Sequence, residues 1–117
     1  MSKLIHSQDG VMVEELSLAE GQLRIGRVPG SDIQLDDVTV SGEHALITVS
    51  PSVYMEGLLD VHIEDQGSTN GTIVNGRPSK RHMLKHGDIA KIGNHEFAFI
   101  DEETRGFETT AVILPED

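Results

Sequence analysis

Tight-turn dipeptides recur along this chain with short alternating apolar runs between them, a pattern that fits strands and leaves little room for helices. Asp9-Gly10, Glu20-Gly21, Pro29-Gly30-Ser31, Asn70-Gly71, Asn75-Gly76 and Gly93-Asn94 are the turn signals. Between them, apolar residues fall on every second position: Ala45, Ile47 and Val49 in HALITVS, Leu59, Val61 and Ile63 in LDVHIED, Phe97 and Phe99 in HEFAFID. A period of two sends one row of side chains inward and the other toward water, as a half-buried strand requires. Asn75-Gly76 and Gly93-Asn94 suit two-residue hairpins, because Asn and Gly tolerate the positive φ of the tight mirror-image turns. No window of helical length carries a convincing 3.6-residue period, and no segment repeats. The expected fold class is all-β, a two-sheet antiparallel β-sandwich over about residues 3–101.

Composition narrows what such a sandwich does. With 117 residues and 37% hydrophobic content, the chain suits one domain with its own core. Only 3% of residues are aromatic, so Val, Ile and Leu must fill that core. The absence of cysteine excludes disulfides and thiolate metal sites, and is compatible with a reducing interior. No apolar run approaches the roughly 18–20 residues of a membrane helix. The start, MSKLIHSQDG, lacks the apolar core and cleavage site of a secretory signal. The expectation is a cytoplasmic protein without a membrane partner. A net charge of -11 opposes the phosphate backbone of nucleic acid. The small basic cluster of Arg77, Lys80, Arg81 and Lys85 does not offset it, so no nucleic-acid partner is expected.

Four loop motifs carry the chemistry. They are Gly26-Arg27 after a strand, Ser41-Gly42-Glu43-His44 before one, Asp65-Gln66-Gly67-Ser68-Thr69-Asn70-Gly71-Thr72, and Val74-Asn75-Gly76. An isolated arginine in so acidic a chain either pairs with a neighbouring acid (Asp32, Asp36 or Asp37) or receives an anion from a partner. Taken singly, Ser41 and His44 also fit a local backbone cap, and Asn70 and Asn75 fit ordinary turn positions. As a set they fit phosphate, which brings nearly two negative charges and several acceptor oxygens. Arg27 offers a planar fork of donors, Ser41 and Thr69 offer hydroxyls, and the loops offer backbone N–H groups. Catalysis is not expected: Ser41, His44 and Asp37 lack a nucleophile elbow, and His82 with His86 falls on a strand and turn rather than a metal-binding helix.

In this order and spacing, the four loops resemble the forkhead-associated, or FHA, domain family, whose members are β-sandwiches that recognise phosphothreonine in partner proteins. The resemblance runs from about Leu23 to Phe99, with LKHGDIAKIG (residues 84–93) similar to the family's late strand pair. It implies that Arg27 and Ser41 contact phosphate, that Thr69 helps recognise the phosphothreonine, and that Asn70 holds the peptide backbone. Gly42 and Ser68 flank them in the implied phosphopeptide-binding set. Gly42 departs from the pattern, since many relatives carry a basic or polar side chain after the serine. Gly26, His44, Gly71, Asn75 and Gly76 are implied loop-structuring residues, with His44 tying the Ser41 loop to its neighbours. The implied protein is a signalling adaptor or regulator without a catalytic residue, metal or cofactor. Its implied partners are a phosphothreonine-containing protein and a serine/threonine kinase. The alternative is a structural interaction module whose phosphate pocket is unused.

The expected domain organisation is an FHA sandwich over residues 1–101 and an acidic tail over 102–117. Glu102, Glu103, Glu108, Glu116 and Asp117 supply the tail's acids, with Asp101 just before it, while Phe107 and the run Ala111 to Leu114 are apolar. The segment Glu108-Thr109-Thr110-Ala111-Val112-Ile113 is similar to the phosphorylatable Glu-Thr-Thr segment of some small bacterial FHA regulators, where it precedes the domain. Thr109 and Thr110 are therefore candidate phosphosites, and phosphorylated Thr110 or Thr109 a candidate ligand for the pocket in cis or in a second copy.

Overall fold

The computed structural model describes residues 2–102, and the three alternating runs of the sequence each form a strand. In chain order they are β1 (Ser2–Gln8), β2 (Val11–Ser17), β3 (Gly21–Gly26), β4 (Ile33–Gln34), β5 (Ala45–Pro51), β6 (Leu59–Asp65), β7 (Ile73–Val74), β8 (Arg77–Pro78), β9 (Arg81–Met83), β10 (Ile89–Ile92) and β11 (His95–Asp101). One sheet runs β2-β1-β11-β10-β7-β8 and the other β4-β3-β5-β6-β9. The inward rows of both sheets meet in one core, in which Leu4, Val74, Ile92, Phe97 and Phe99 face Ile25, Ile47, Val49, Val61 and Ile63. Each such side chain, once buried, contributes roughly 1.5–3 kcal/mol.

The β-sandwich is thus as expected, with two local differences. The short β4 pairs parallel to β3, with Ile25 opposite Ile33, because the chain crosses a loop before rejoining the sheet edge. Leu59 shares a face with Val61 and Ile63 but is 43% exposed. It opens β6 opposite Pro51 at the end of the sheet, beyond the reach of the opposite layer. The hairpin readings hold: Asn75 (φ 51°) and Gly76 (φ 80°) join β7 to β8, and Gly93 (φ 59°) with Asn94 joins β10 to β11. Among the described residues, no helix is long and apolar enough to cross a membrane.

Pairing register sorts the loops into two poles. Ile25, Ala45 and Asp65 lie level across β3, β5 and β6, so the segments 27–32, 35–44 and 66–72 gather at one end. The turns at Asp9-Gly10 and Gly93-Asn94 reach the same end, where the Asp9 N–H donates to the Asn94 carbonyl at 3.2 Å. Ser2 and Asp101 pair at the other end, with the β5–β6 loop and the β9–β10 turn.

Candidate functional site

At the first pole, backbone hydrogen bonds zip the ends of β3 and β5 together. The Arg27 N–H donates to the Ser41 carbonyl at 3.1 Å, the Val28 N–H to the Gly42 carbonyl at 3.3 Å, and the His44 N–H to the Ile25 carbonyl at 2.9 Å. Gly26 lies inside this crossing. Arg27 is thereby fixed beside Ser41 while its side chain stays exposed. Among the described residues no acid pairs with the Arg27 guanidinium, so the ion-pair alternative fails. Asp32 instead accepts the Arg24 N–H at 2.8 Å, and Asp37 is committed to Thr39.

His44 is fully buried and joins two loops. Its Nδ1 accepts the Ser41 N–H at 3.0 Å, which leaves Nε2 to donate to the Gly71 carbonyl at 2.8 Å. The neutral Nε2–H tautomer alone satisfies both bonds. A second tie lies in front of it: the Ser41 hydroxyl oxygen accepts the Thr69 N–H at 2.9 Å. Since His44 bonds the Ser41 backbone rather than its hydroxyl, the pair lacks a nucleophile–base arrangement. Among the described residues no group of three His, Asp or Glu side chains is placed to hold a metal ion.

The Thr69 loop is built around Asp65, the residue that opens the third motif and to which the sequence assigned no role. Its carboxylate accepts the Gly67 N–H at 3.0 Å, the Ser68 N–H at 2.9 Å, the Ser68 hydroxyl, and the hydroxyl of buried Thr72 at 2.7 Å. Burial by itself would raise its pKa, but the hydrogen bonds from Ser68, Thr72 and Gly67 outweigh that and hold it below the ordinary carboxylate range. The Ser68 hydroxyl also accepts the Gly71 N–H at 2.9 Å, so both of its roles are spent inside the loop. Thr69 is left outward and exposed. The signal for this hub was an aspartate followed three residues later by serine, an Asx-type turn spacing.

Asn70 is exposed and donates from its side-chain amide to the Thr39 carbonyl at 2.8 Å, which binds the third loop into the cluster. Thr39 is held in turn by Asp37, through its hydroxyl at 2.6 Å and its N–H at 2.8 Å. These Thr39 bonds hold the Asp37 carboxyl below its ordinary range against the opposing effect of burial, helped by the Asn94 N–H and by His95. Behind Asp37 sits a buried histidine pair that the sequence did not reveal. His95 Nδ1 and His6 Nε2 are 2.8 Å apart, and His95 Nε2 is 3.8 Å from Asp37. Burial, then the neighbouring His6, lowers the His95 pKa, while Asp37 and Asp9 oppose the shift.

The pole therefore brings together Gly26, Arg27, Ser41, Gly42, His44, Ser68, Thr69, Asn70 and Gly71. Asn75 and Gly76 stand apart from it: Asn75 donates to Asp88 at 2.9 Å and accepts the Ile89 N–H at 2.9 Å, which shapes the start of β10. Thr109 and Thr110 lie outside the described residues.

The FHA domain model matches residues 23–93, a stretch that contains the three loops that carry Arg27, Ser41 and Thr69. The chain belongs to the FHA domain family. It is similar to the oxoglutarate dehydrogenase inhibitor of Corynebacterium efficiens, at 43% identity over 75 residues, which cover 64% of this chain and 48% of that protein. It is similar too to the glycogen accumulation regulator GarA of Mycobacterium tuberculosis, at 38% identity over 69% of this chain and 46% of that protein. The FHA match thus spans about half the length of these relatives. Among solved structures, an FHA domain studied for phosphothreonine-dependent interactions superimposes with a TM-score of 0.69 at 28% identity, over 86% of this chain and 97% of that one.

Proposed function

We propose that this FHA domain is a phosphothreonine-dependent protein-binding module that acts as a signalling adaptor or regulator. The observation that carries the reading is the exposed Arg27 guanidinium, without an acidic partner among the described residues, fixed through its own backbone to Ser41. Ser41 and Thr69, joined at 2.9 Å, offer hydroxyls on the same surface. In this reading Arg27 and Ser41 contact phosphate, Thr69 reads the phosphothreonine, and Asn70 holds the peptide backbone with the donor and acceptor that Thr39 leaves unused. Gly42 contributes backbone only, and Ser68 acts from behind by shaping the loop. Gly26, His44 and Gly71 keep the loops in register.

Charge-assisted hydrogen bonds contribute roughly 1.5–3 kcal/mol each. A few of them, less the cost of ordering a peptide, give affinity on the order of micromolar. The net charge of -11 slows association more than it prevents docking, because exposed charges beyond about 8 Å are screened at physiological salt. The reading supposes a domain over 1–101, a tail over 102–117, a cytoplasmic location, no cofactor and no catalysis. A serine/threonine kinase supplies the ligand by phosphorylating a partner, or by phosphorylating Thr109 or Thr110 for the pocket of the same or a second copy. The relatives named for inhibiting oxoglutarate dehydrogenase and for regulating glycogen accumulation support a regulatory role.

The test is the affinity of matched phosphothreonine and threonine peptides, including one spanning residues 104–115, for the wild type and Arg27→Ala. Phosphate-dependent binding that Arg27→Ala lowers by at least tenfold, about 1.4 kcal/mol, supports the reading. Binding indifferent to both the phosphate and Arg27 points instead to an interaction module with an unused pocket.

A further inference from the structure

The pole opposite Arg27 carries an apolar groove that the recognition of phosphate does not use. It encloses about 770 Å³ between the β2–β3 turn, the β5–β6 loop, β9 and the end of β11, and Leu18, Met55, Leu58, Leu59, Met83 and Phe99 line it. Leu59 and Met83 are 43% and 38% exposed here, and Val53 and Tyr54 project from the adjoining loop. That volume lies within the roughly 300–1,000 Å³ typical of ligand sites. Exposed apolar residues gathered at a concave surface, rather than scattered singly, mark a place where something binds.

We propose that this groove is the docking site of the chain's own apolar C-terminal segment, residues 107–114. Connectivity is the first argument. Asp101, the last residue of β11, is itself at the groove, paired with Ser2 across the sheet and held by its N–H donating to His86 Nδ1 at 3.1 Å. The chain therefore leaves the sandwich at the groove's mouth. Phe107 follows six residues later, an extended reach of roughly 20 Å. A tethered segment this close has a high effective concentration and needs little intrinsic affinity to dock.

Composition is the second argument. The stretch Thr109 to Pro115 carries no charge and includes Ala111, Val112, Ile113 and Leu114. Glu20, Asp60 and Asp101 stand at the groove against Lys85 and His86, so a mostly apolar occupant with a single acid, Glu108, at its edge suits it better than a strongly acidic one. Burial of each Val, Ile or Leu of the stretch removes a large apolar side chain from water, and no phosphorylation is needed for it. The proposal thus stands apart from the reading of the Arg27 pole.

The chain has no cysteine, so a single Ala111→Cys accepts one nitroxide tag in the full-length protein. Docking predicts strong loss of amide signal at Leu59, Met83 and Lys85, with Ser41 and Thr69 unaffected. It also predicts that Ile113→Asp, introduced into the tagged chain, removes most of that loss, as does Met83→Glu. Loss that neither substitution changes reflects a merely tethered segment and overturns the proposal. So does loss centred on Ser41 and Thr69, or none at the groove. Mixing tagged unlabelled chain with untagged isotope-labelled chain completes the test: no loss in the mixture supports docking within one chain, and equal loss assigns the segment to a second copy and overturns it.

Discussion

Gly26→Ala is the sharpest structural test of how the Arg27 pole is held together. A Cβ on Gly26 would lie 2.0 Å from the Gly42 carbonyl oxygen, 2.9 Å from its carbon and 3.2 Å from Glu43 Cα. Gly26 ends β3 and is not among the positive-φ residues, so the conflict is steric and not a matter of backbone strain. Ordinary contact begins at 3.4 Å, so the facing backbone must retreat by more than about 1 Å. That retreat breaks or stretches the Arg27–Ser41, Val28–Gly42 and His44–Ile25 hydrogen bonds. Two of them lost at about 1 kcal/mol each, added to about 1–3 kcal/mol of overpacking, give a destabilisation of about 3–5 kcal/mol. Gly42→Ala is the control: its Cβ would meet only Val28 Cγ1, at 3.1 Å, on an exposed side chain that turns aside. It should cost no more than about 0.5 kcal/mol. Urea unfolding reads both as midpoint shifts at constant slope. Midpoints for Gly26→Ala and Gly42→Ala that coincide would refute the argument that this close approach holds the pole together.

The other interactions make further predictions. Asp65→Asn keeps the shape but removes the charge that four donors share, and should cost about 2 kcal/mol in chemical denaturation. Because the Asp65 pKa lies below 3.8 in the folded state, its contribution is complete above that value and is lost as pH falls through the folded pKa. The variant's stability should therefore fall less steeply than the wild type's below about pH 4, and parallel acid limbs would contradict the Asp65 network. His95 has its pKa depressed from 6.5, so the unfolded chain takes up the proton first as pH drops below that value. Melting temperatures from pH 7 to 5 should decline more steeply for the wild type than for His95→Asn, and equal slopes would show that His95 is not shielded from protonation. Thr72→Val removes one buried hydroxyl bond to Asp65. It should cost about 1 kcal/mol and weaken phosphopeptide binding through the Thr69 loop, and an unchanged urea midpoint would place Asp65 outside the loop's support.

The parts of this molecule that local pattern determines were legible before the fold. Alternation in HALITVS and HEFAFID put Ala45, Ile47, Val49, Phe97 and Phe99 on the buried faces, where they are. Leu59 obeyed the same alternation but escaped burial, because periodicity fixes the face of a strand and not how far the opposite layer extends. The loop residues of the Arg27 pole were legible because their turn chemistry is local and ordered. What lies behind them was not. Asp65 reaches Thr72 within its own loop, but His6 meets His95 only through the pairing of β1 with β11, at a sequence separation of 89 that no local pattern encodes. Arg27's freedom from Asp32 and Asp37 likewise depended on where those acids spend their oxygens, on the Arg24 N–H and on Thr39.

The central claim is that the Arg27 pole reads phosphothreonine. An amide NMR titration with matched phosphorylated and unphosphorylated threonine peptides tests it most directly, since it reports both affinity and place. The account predicts saturable shifts at Arg27, Ser41, Thr69 and Asn70 with the phosphorylated peptide alone, and none of comparable size at Leu59 or Met83. Shifts that are the same for both peptides, or that fall at the opposite pole, would contradict it.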